Sequence, residues 1–403
     1  MTADSRALQR ARARRAGGVM EDFDGDRLSL ARRLRRLNRT TLATGADVSA
    51  AAITQFERNQ SRPTTATAAQ LALNLGMPLD FFRRGAVIPR IPTEAAHFRS
   101  LRSTPAISRD RALAFAELSA AVVNTLEDYV DFPPNIVPTH LVDGAINPEQ
   151  IAEIASEVRA ALRIGPGPIS HMVRTLEAAG VVVLMLPVDA SSHEVDAFST
   201  DTGRRPLVLL SPSKNDRARS RFDAAHELGH LVMHPDVEPG PKMVEDQAQT
   251  FASHFLAPDE ELRDDLPTKL DWEALQAAKR KWRVSLRALA FRAHRLGLWS
   301  DATFVRANKR LSAEGNPERG PLGPREQPIA IGRAAEILAG AGYDVAELAS
   351  ISGLPETILQ EVIAAGSEQR LVVSGLSVQS ANERWSYNNS ATGASRPDAS
   401  FGR

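Results

Sequence analysis

The chain has 403 residues, enough for two or three domains, with 43% apolar residues and a formal net charge of zero, the composition of a soluble globular protein. It contains no cysteine, which excludes a disulfide framework, a thiolate metal site and a cysteine nucleophile; any metal has to be held by His, Glu or Asp. No run approaches the roughly eighteen apolar residues of a membrane span, and the arginine-rich start lacks the apolar core of a secretory signal, so a cytoplasmic location with no membrane partner is expected.

The zero total hides an asymmetry. Residues 1–90 carry 16 Arg and no Lys against 8 acidic residues. A basic segment beside an acidic remainder is the electrostatic footprint of nucleic-acid binding. Residues 1–24, with Arg6, Arg10, Arg12, Arg14 and Arg15 among small residues, read as a disordered basic arm. Residues 25–84 read as five short helices. Leu28, Ala31, Leu34 and Leu37 mark one apolar face, and Asn38 and Ser49 stand where helix caps belong. Ser49 opens a helix over Ala50–Asn59, from which Ile53 and Phe56 point inward.

The stretch LATGADVSAAAITQFERNQSRPTTATAAQLALNLGMPLDFF resembles the helix-turn-helix of the Xre/Cro/C1 repressor family. That resemblance implies a domain that binds double-stranded DNA, with its third helix in the major groove. It puts Ala50, Ala51, Thr54 and Gln55 in the groove and Arg58, Asn59 and Arg62 near phosphates. The third helix opens on three alanines, so direct base readout rests on Thr54 and Gln55. Such domains often read paired half-sites, which makes a homodimer the expected assembly. The alternative for this helix-turn-helix is a protein-interaction module.

Residues 85–107 read as a connector, extended around Pro89 and Pro92. Its segment AAHFRSLRST holds His97, expected to be structural. A long helix is expected over residues 108–131, with Glu117, Glu127 and Asp128 on its solvated face. Two more helices are expected at residues 148–162 and at Ile169–Ala179. Val181–Leu186, residues 195–199 and Pro206–Leu210 read as strands, the last two joined by a turn at Gly203 and Arg204. A sheet edge beside the next helix is where an extended peptide substrate is expected to add.

That helix carries His226-Glu227-Leu-Gly-His230, the HExxH spacing. Residues four apart lie on one helical face, so His226 and His230 can present two imidazoles to one ion, with Glu227 beside them as general base. The surrounding Phe222, Ala225, Leu228, Leu231 and Val232 are apolar, and burying two histidines and a glutamate among them is costly without a partner. A catalytic zinc site needs a third protein ligand. Glu245, fifteen residues beyond His230 on a second amphipathic helix, is the favoured candidate; His234, Glu238 and Asp246 are its competitors. His234 falls one turn along the same face, which suits a second-shell or substrate-polarising role better than ligation.

HELGHLVMH followed by EDQAQTFASHFLAP resembles the ImmA/IrrE family of metallopeptidases, which show HELGH, then E-x-x-A-x-x-F-A, then Pro. The resemblance implies a gluzincin-like zinc site in which the later glutamate is the third ligand and Gln249 orients a ligand histidine. It also implies a zinc-dependent endopeptidase acting on a repressor-type protein in stress or mobile-element control. Relatives with a preceding helix-turn-helix share the connector motif and the stretch KWRVSLRALAFRAHRLGLWSDATF.

The expected fold is mostly α with α+β: an all-α helix-turn-helix domain (25–84), then a zincin-like domain with a small sheet (108–312). A Gly/Pro-rich linker, a small helical unit (329–366) that serves as a packing cap or dimer contact, and a disordered tail (374–403) follow. The expected function is a DNA-binding regulator with a built-in zinc endopeptidase. Two alternatives stand beside it: a non-proteolytic or antitoxin-like regulator whose zincin domain is a sensor, and a chain that cuts its own connector between Arg83 and Thr104.

Overall fold

The computed structural model describes residues 20–92, 97–98, 104–142, 144–187, 195–213, 215–235, 237, 241–315 and 318–368. The basic arm before residue 20 and the tail after 368 lie outside the described residues, and so does Glu238.

The N-terminal helices are α1 (Gly25–Leu34), α2 (Arg39–Ala46), α3 (Ala50–Glu57) and α4 (Thr65–Leu75), closed by a 3₁₀ turn at Leu79–Phe82. Asp24, Asn38, Ser49 and Thr64 each cap the helix that follows, accepting from a backbone N–H of its first turn. Such a cap contributes about 1 kcal/mol, which matters for helices too short to persist alone. A Cβ on Gly25 would lie 2.0 Å from the Phe56 carbonyl oxygen, so glycine is what lets α1 start against the end of α3. Glu57, buried at that end, accepts from Arg32 Nε at 2.5 Å and Arg39 Nε at 2.6 Å, tying the first three helices together.

The spine of the molecule is α5 (Ala106–Glu127). It is buried almost continuously from Ala112 to Val123, because α1 packs on one side and the sheet and C-terminal helices on others. Glu117 departs from the expected solvated face: it is buried, with one oxygen paired to Arg33 of α1 and the other accepting from the Ile91 backbone N–H at 3.1 Å. Glu127 departs likewise, paired with Arg204 and Arg205. Sequence periodicity placed both acids outward; it could not show that arginines distant in the chain would cover them.

Two helices, α6 (Pro148–Ala161) and α7 (Met172–Ala178), lead into a four-stranded sheet: β1 (His97–Phe98), β2 (Val182–Met185), β3 (Ala197–Asp201) and β4 (Pro206–Leu210), in the order β1-β3-β4-β2. β3 and β4 form the expected hairpin, with Gly203 at φ 80° in the turn, and β2 runs parallel to β4. β1 was not anticipated; it pairs antiparallel with β3, His97 opposite Ser199. The sheet is covered on both faces, which accounts for its near-continuous apolar strands. Leu184, Phe198, Leu207 and Leu209 join the core shared with α5 and the helix-turn-helix. Val183, Ala197, Val208 and Leu210 join the second core, beneath α8 (Arg217–Met233) and α9 (Lys242–Leu256).

Beyond α9 come α10 (Asp259–Arg263), α11 (Trp272–Trp282), α12 (Leu286–Arg295) and α13 (Asp301–Glu314). The stretch KWRVSLRALAFRAHRLGLWSDATF spans the end of α11, all of α12 and the start of α13, which are separated at Arg283 in the left-handed region and at the Ser300 cap. The Gly/Pro-rich linker is docked at two acids: Glu318 receives Lys279 and the Leu286 N–H, and buried Glu326 receives buried Arg221. α14 (Ala330–Gly340), α15 (Val345–Ser352) and α16 (Glu356–Ala365) pack on α5 and share its core with the helix-turn-helix. Arg27 of α1 donates to the Gly353 carbonyl at 3.0 Å and to Ala86 at 2.7 Å, so the C-terminal helices hold the N-terminal domain in place.

Candidate metal centre and nucleic-acid interface

α8 and the residue that ends it carry three buried histidines in line, His226, His230 and His234. The glycine of α8 sets the approach of the neighbouring helix: a Cβ on Gly229 would lie 3.0 Å from the Phe251 ring and 3.3 Å from the Ala248 backbone. With hydrogen there instead, α9 lies close against α8, its Val244, Ala248, Phe251, Ala252 and Phe255 buried. That crossing delivers Glu245 to the histidine pair.

His226 Nε2 and His230 Nε2 are 3.1 Å apart. Glu245 places one carboxylate oxygen 3.3 Å from the first and the other 3.6 Å from the second. Both histidines are buried, and Glu245 is partly open. Donors about 2.0–2.1 Å from a tetrahedral ion stand roughly 3.3 Å from one another, so the three fit a zinc-sized cation. Among the described residues they form a group able to hold a metal, with all donor atoms within 4.8 Å. Of the competitors, Asp246 is exposed on the outer side of α9, and His234 faces the far edge of His230, its Nδ1 3.2 Å from His230 Nδ1.

Glu227 is fully buried beside this group. Its Oε2 accepts from Ser199 Oγ at 2.8 Å, so β3 fixes the plane of the carboxylate. Nothing in the sequence singled Ser199 out; strand alternation predicts only that it faces one side of the sheet.

His234, buried, meets Gln247 Oε1 through its Nε2 at 2.9 Å, and Gln247 Nε2 donates to the Gly144 carbonyl at 2.9 Å. Burial lowers the His234 pKa below the usual histidine value, keeping the ring neutral. Gln247, rather than the expected Gln249, is the glutamine that reaches the histidine row, and it meets His234. Gln249 is exposed, because positions two apart on a helix point to different faces.

Two further titratable groups flank α8, half-buried His171 and buried Glu177. His171 is pushed down to about 4, chiefly by burial, although Glu326 stands 3.2 Å from its Nδ1. Glu177 on α7 is pushed up to about 7 by burial, against the stabilising effect of the Ala330 and Ile329 N–H groups it accepts at the start of α14.

On α3, Ala51 and Gln55 are exposed and Ala50 and Thr54 half-buried. The Thr54 hydroxyl donates back to the Ala50 carbonyl at 3.0 Å, and Gln55 Oε1 lies 3.4 Å from Ser61 Oγ. Arg58 and Arg62 are exposed. Asn59, at φ 54°, accepts from the Gly25 N–H at 2.9 Å, which gives it a structural task besides any contact with phosphate.

Two family models match. Residues 28–82 match a helix-turn-helix family; residues 176–294 match the peptidase M78 family, described as an IrrE N-terminal-like domain. No curated protein matches the chain. The chain therefore carries a helix-turn-helix domain followed by an IrrE-like domain of a metallopeptidase family. Among the described residues, no helix is long and apolar enough to cross a membrane.

Proposed function

We propose that the protein is a DNA-binding transcriptional regulator whose IrrE-like domain is a zinc-dependent endopeptidase acting on a repressor-type protein. The observation that carries this reading is the meeting of His226, His230 and Glu245 within 4.8 Å, with Glu227 alongside and held by Ser199. A zinc ion held there would supply Lewis acidity, lowering the pKa of a bound water and polarising a peptide carbonyl. Glu227 accepts the water's proton and returns it to the departing amine nitrogen. The low-dielectric surroundings strengthen every charge interaction at this step. A site that only stores an ion needs no general base, which argues for turnover.

On DNA, α3 would lie in the major groove as one half of a homodimeric reader. Thr54 and Gln55 would meet base edges, Ala50 and Ala51 would offer methyl contacts, and Arg58, Asn59 and Arg62 would approach phosphates. Affinity in such an interface comes mainly from phosphate contacts and is strongly salt-dependent.

A second reading, a regulator that senses through its zincin domain and cuts nothing, is favoured by one observation. The outer edge of β3, where an extended substrate was expected, is already paired with β1 of the connector. A substrate strand would have to replace β1 or lie elsewhere. Zinc-loaded protein incubated with candidate repressors separates the readings: fragments that vanish in Glu227→Gln support the peptidase, and DNA binding with no cleavage of any repressor supports the sensor. Intact mass of the zinc-loaded chain reports cleavage within the connector.

A further inference from the structure

Resting on the metal reading above, we infer that His234, Gln247 and the Gly144 carbonyl form a one-way hydrogen-bond relay that sets the tautomer of His230 and so readies its Nε2 for the metal. The argument runs inward from the carbonyl. A backbone carbonyl can only accept. Gln247 Nε2, 2.9 Å from the Gly144 oxygen, is therefore the amide's donor end, and the reversed amide would set two acceptors face to face. Gln247 Oε1, 2.9 Å from His234 Nε2, must then accept, so His234 carries its proton on Nε2. A neutral imidazole has one N–H, which leaves a lone pair on His234 Nδ1. That lone pair faces His230 Nδ1 at 3.2 Å, so His230 holds its proton on Nδ1. Its Nε2 is left as a lone pair aimed at His226 Nε2 and the Glu245 carboxylate.

Each link is needed and none is interchangeable. His230, His234 and Gln247 are buried, so water does not stand in for a missing partner at low cost. Gly144 supplies its oxygen from φ 82°, backbone that glycine adopts without strain. His234 and Gln247 are thus positioning residues that act on the ion through His230. Outer partners of ligand histidines of this kind typically carry about 10–100-fold in metal affinity.

Two measurements test the relay. In the metal-free wild-type protein, nitrogen-15 histidine spectra should show His230 protonated at Nδ1 and His234 at Nε2; a His230 protonated at Nε2 would overturn the assignment without any substitution. In zinc titrations against a chromophoric chelator, Gln247→Leu should bind about 10–100-fold more weakly than wild type. The exposed control Gln249→Leu should match wild type. Equal zinc affinity in wild type and Gln247→Leu would overturn the relay. A wild-type protein that takes up no zinc would instead sink the metal reading, while the histidine spectra would still decide the tautomers.

Discussion

The two family-matched regions, one around α8 and α9 and the other around α3, place their polar groups in opposite ways. At the metal centre the polar side chains are buried and bonded to one another: histidine to histidine, glutamate to serine, histidine to glutamine. On α3 the buried polar group is Glu57, spent on arginines of its own domain, while the outward positions are alanines, a back-bonded threonine and one glutamine. Burying polar atoms is costly unless they are partnered, so the first arrangement has to be specified in detail, and the donor set it brings together fits a zinc-sized cation. Exposed polar atoms cost almost nothing, so the second carries far less information about its ligand. The difference teaches that a site assembled by burial declares its chemistry, and one presented on a surface declares mainly its shape and charge.

The sharpest way to break that contrast is Glu227→Gln. Loss of the general base should lower cleavage by at least about 100-fold with zinc still bound; full activity in a protease assay would refute the role of Glu227. Glu245→Ala comes next. It should weaken zinc binding more than the substitution of any supporting residue, since it removes a donor rather than its prop.

Stability distinguishes the regions too. Gly229→Ala should destabilise the fold by about 1–3 kcal/mol, because the added methyl presses on Phe251 and the Ala248 backbone; chemical denaturation reads this directly. Glu177 makes stability depend on pH. Its folded pKa, about 7, lies above the ordinary glutamate value of 4.5, so the folded state holds the extra proton between those values. Stability should therefore fall as pH rises from about 4.5 to 7, by on the order of 3 kcal/mol, and Glu177→Gln should flatten the curve. The smallest effect belongs to α3: Arg58→Ala should weaken DNA binding for all sequences alike and reduce the salt dependence by about one phosphate contact. A change confined to particular sequences would mean that Arg58 reads bases instead.

Legibility in the sequence follows the same line. The spacing of His226, Glu227 and His230 fixes one helical face by itself, and the apolar pattern around Glu245 on α9 agrees with the helix found there. Asn38 and Ser49 cap helices as local chemistry requires. What escaped was set by pairing across the chain. Gln247 rather than Gln249 meets His234 because the α8–α9 crossing selects the face, and Ser199 meets Glu227 because β3 lies under α8. β1 exists only through its partner strand. Glu117, Glu326 and Glu318 look like solvent-facing acids until distant Arg33, Arg221 and Lys279 close over them.

Zinc titration of metal-free protein, wild type beside His226→Ala and Glu245→Ala, addresses the centre of the account most directly. One tightly held zinc per chain in wild type, with affinity collapsing in both variants, is the expected result. No uptake by wild type, or uptake unchanged when either side chain is removed, would contradict it.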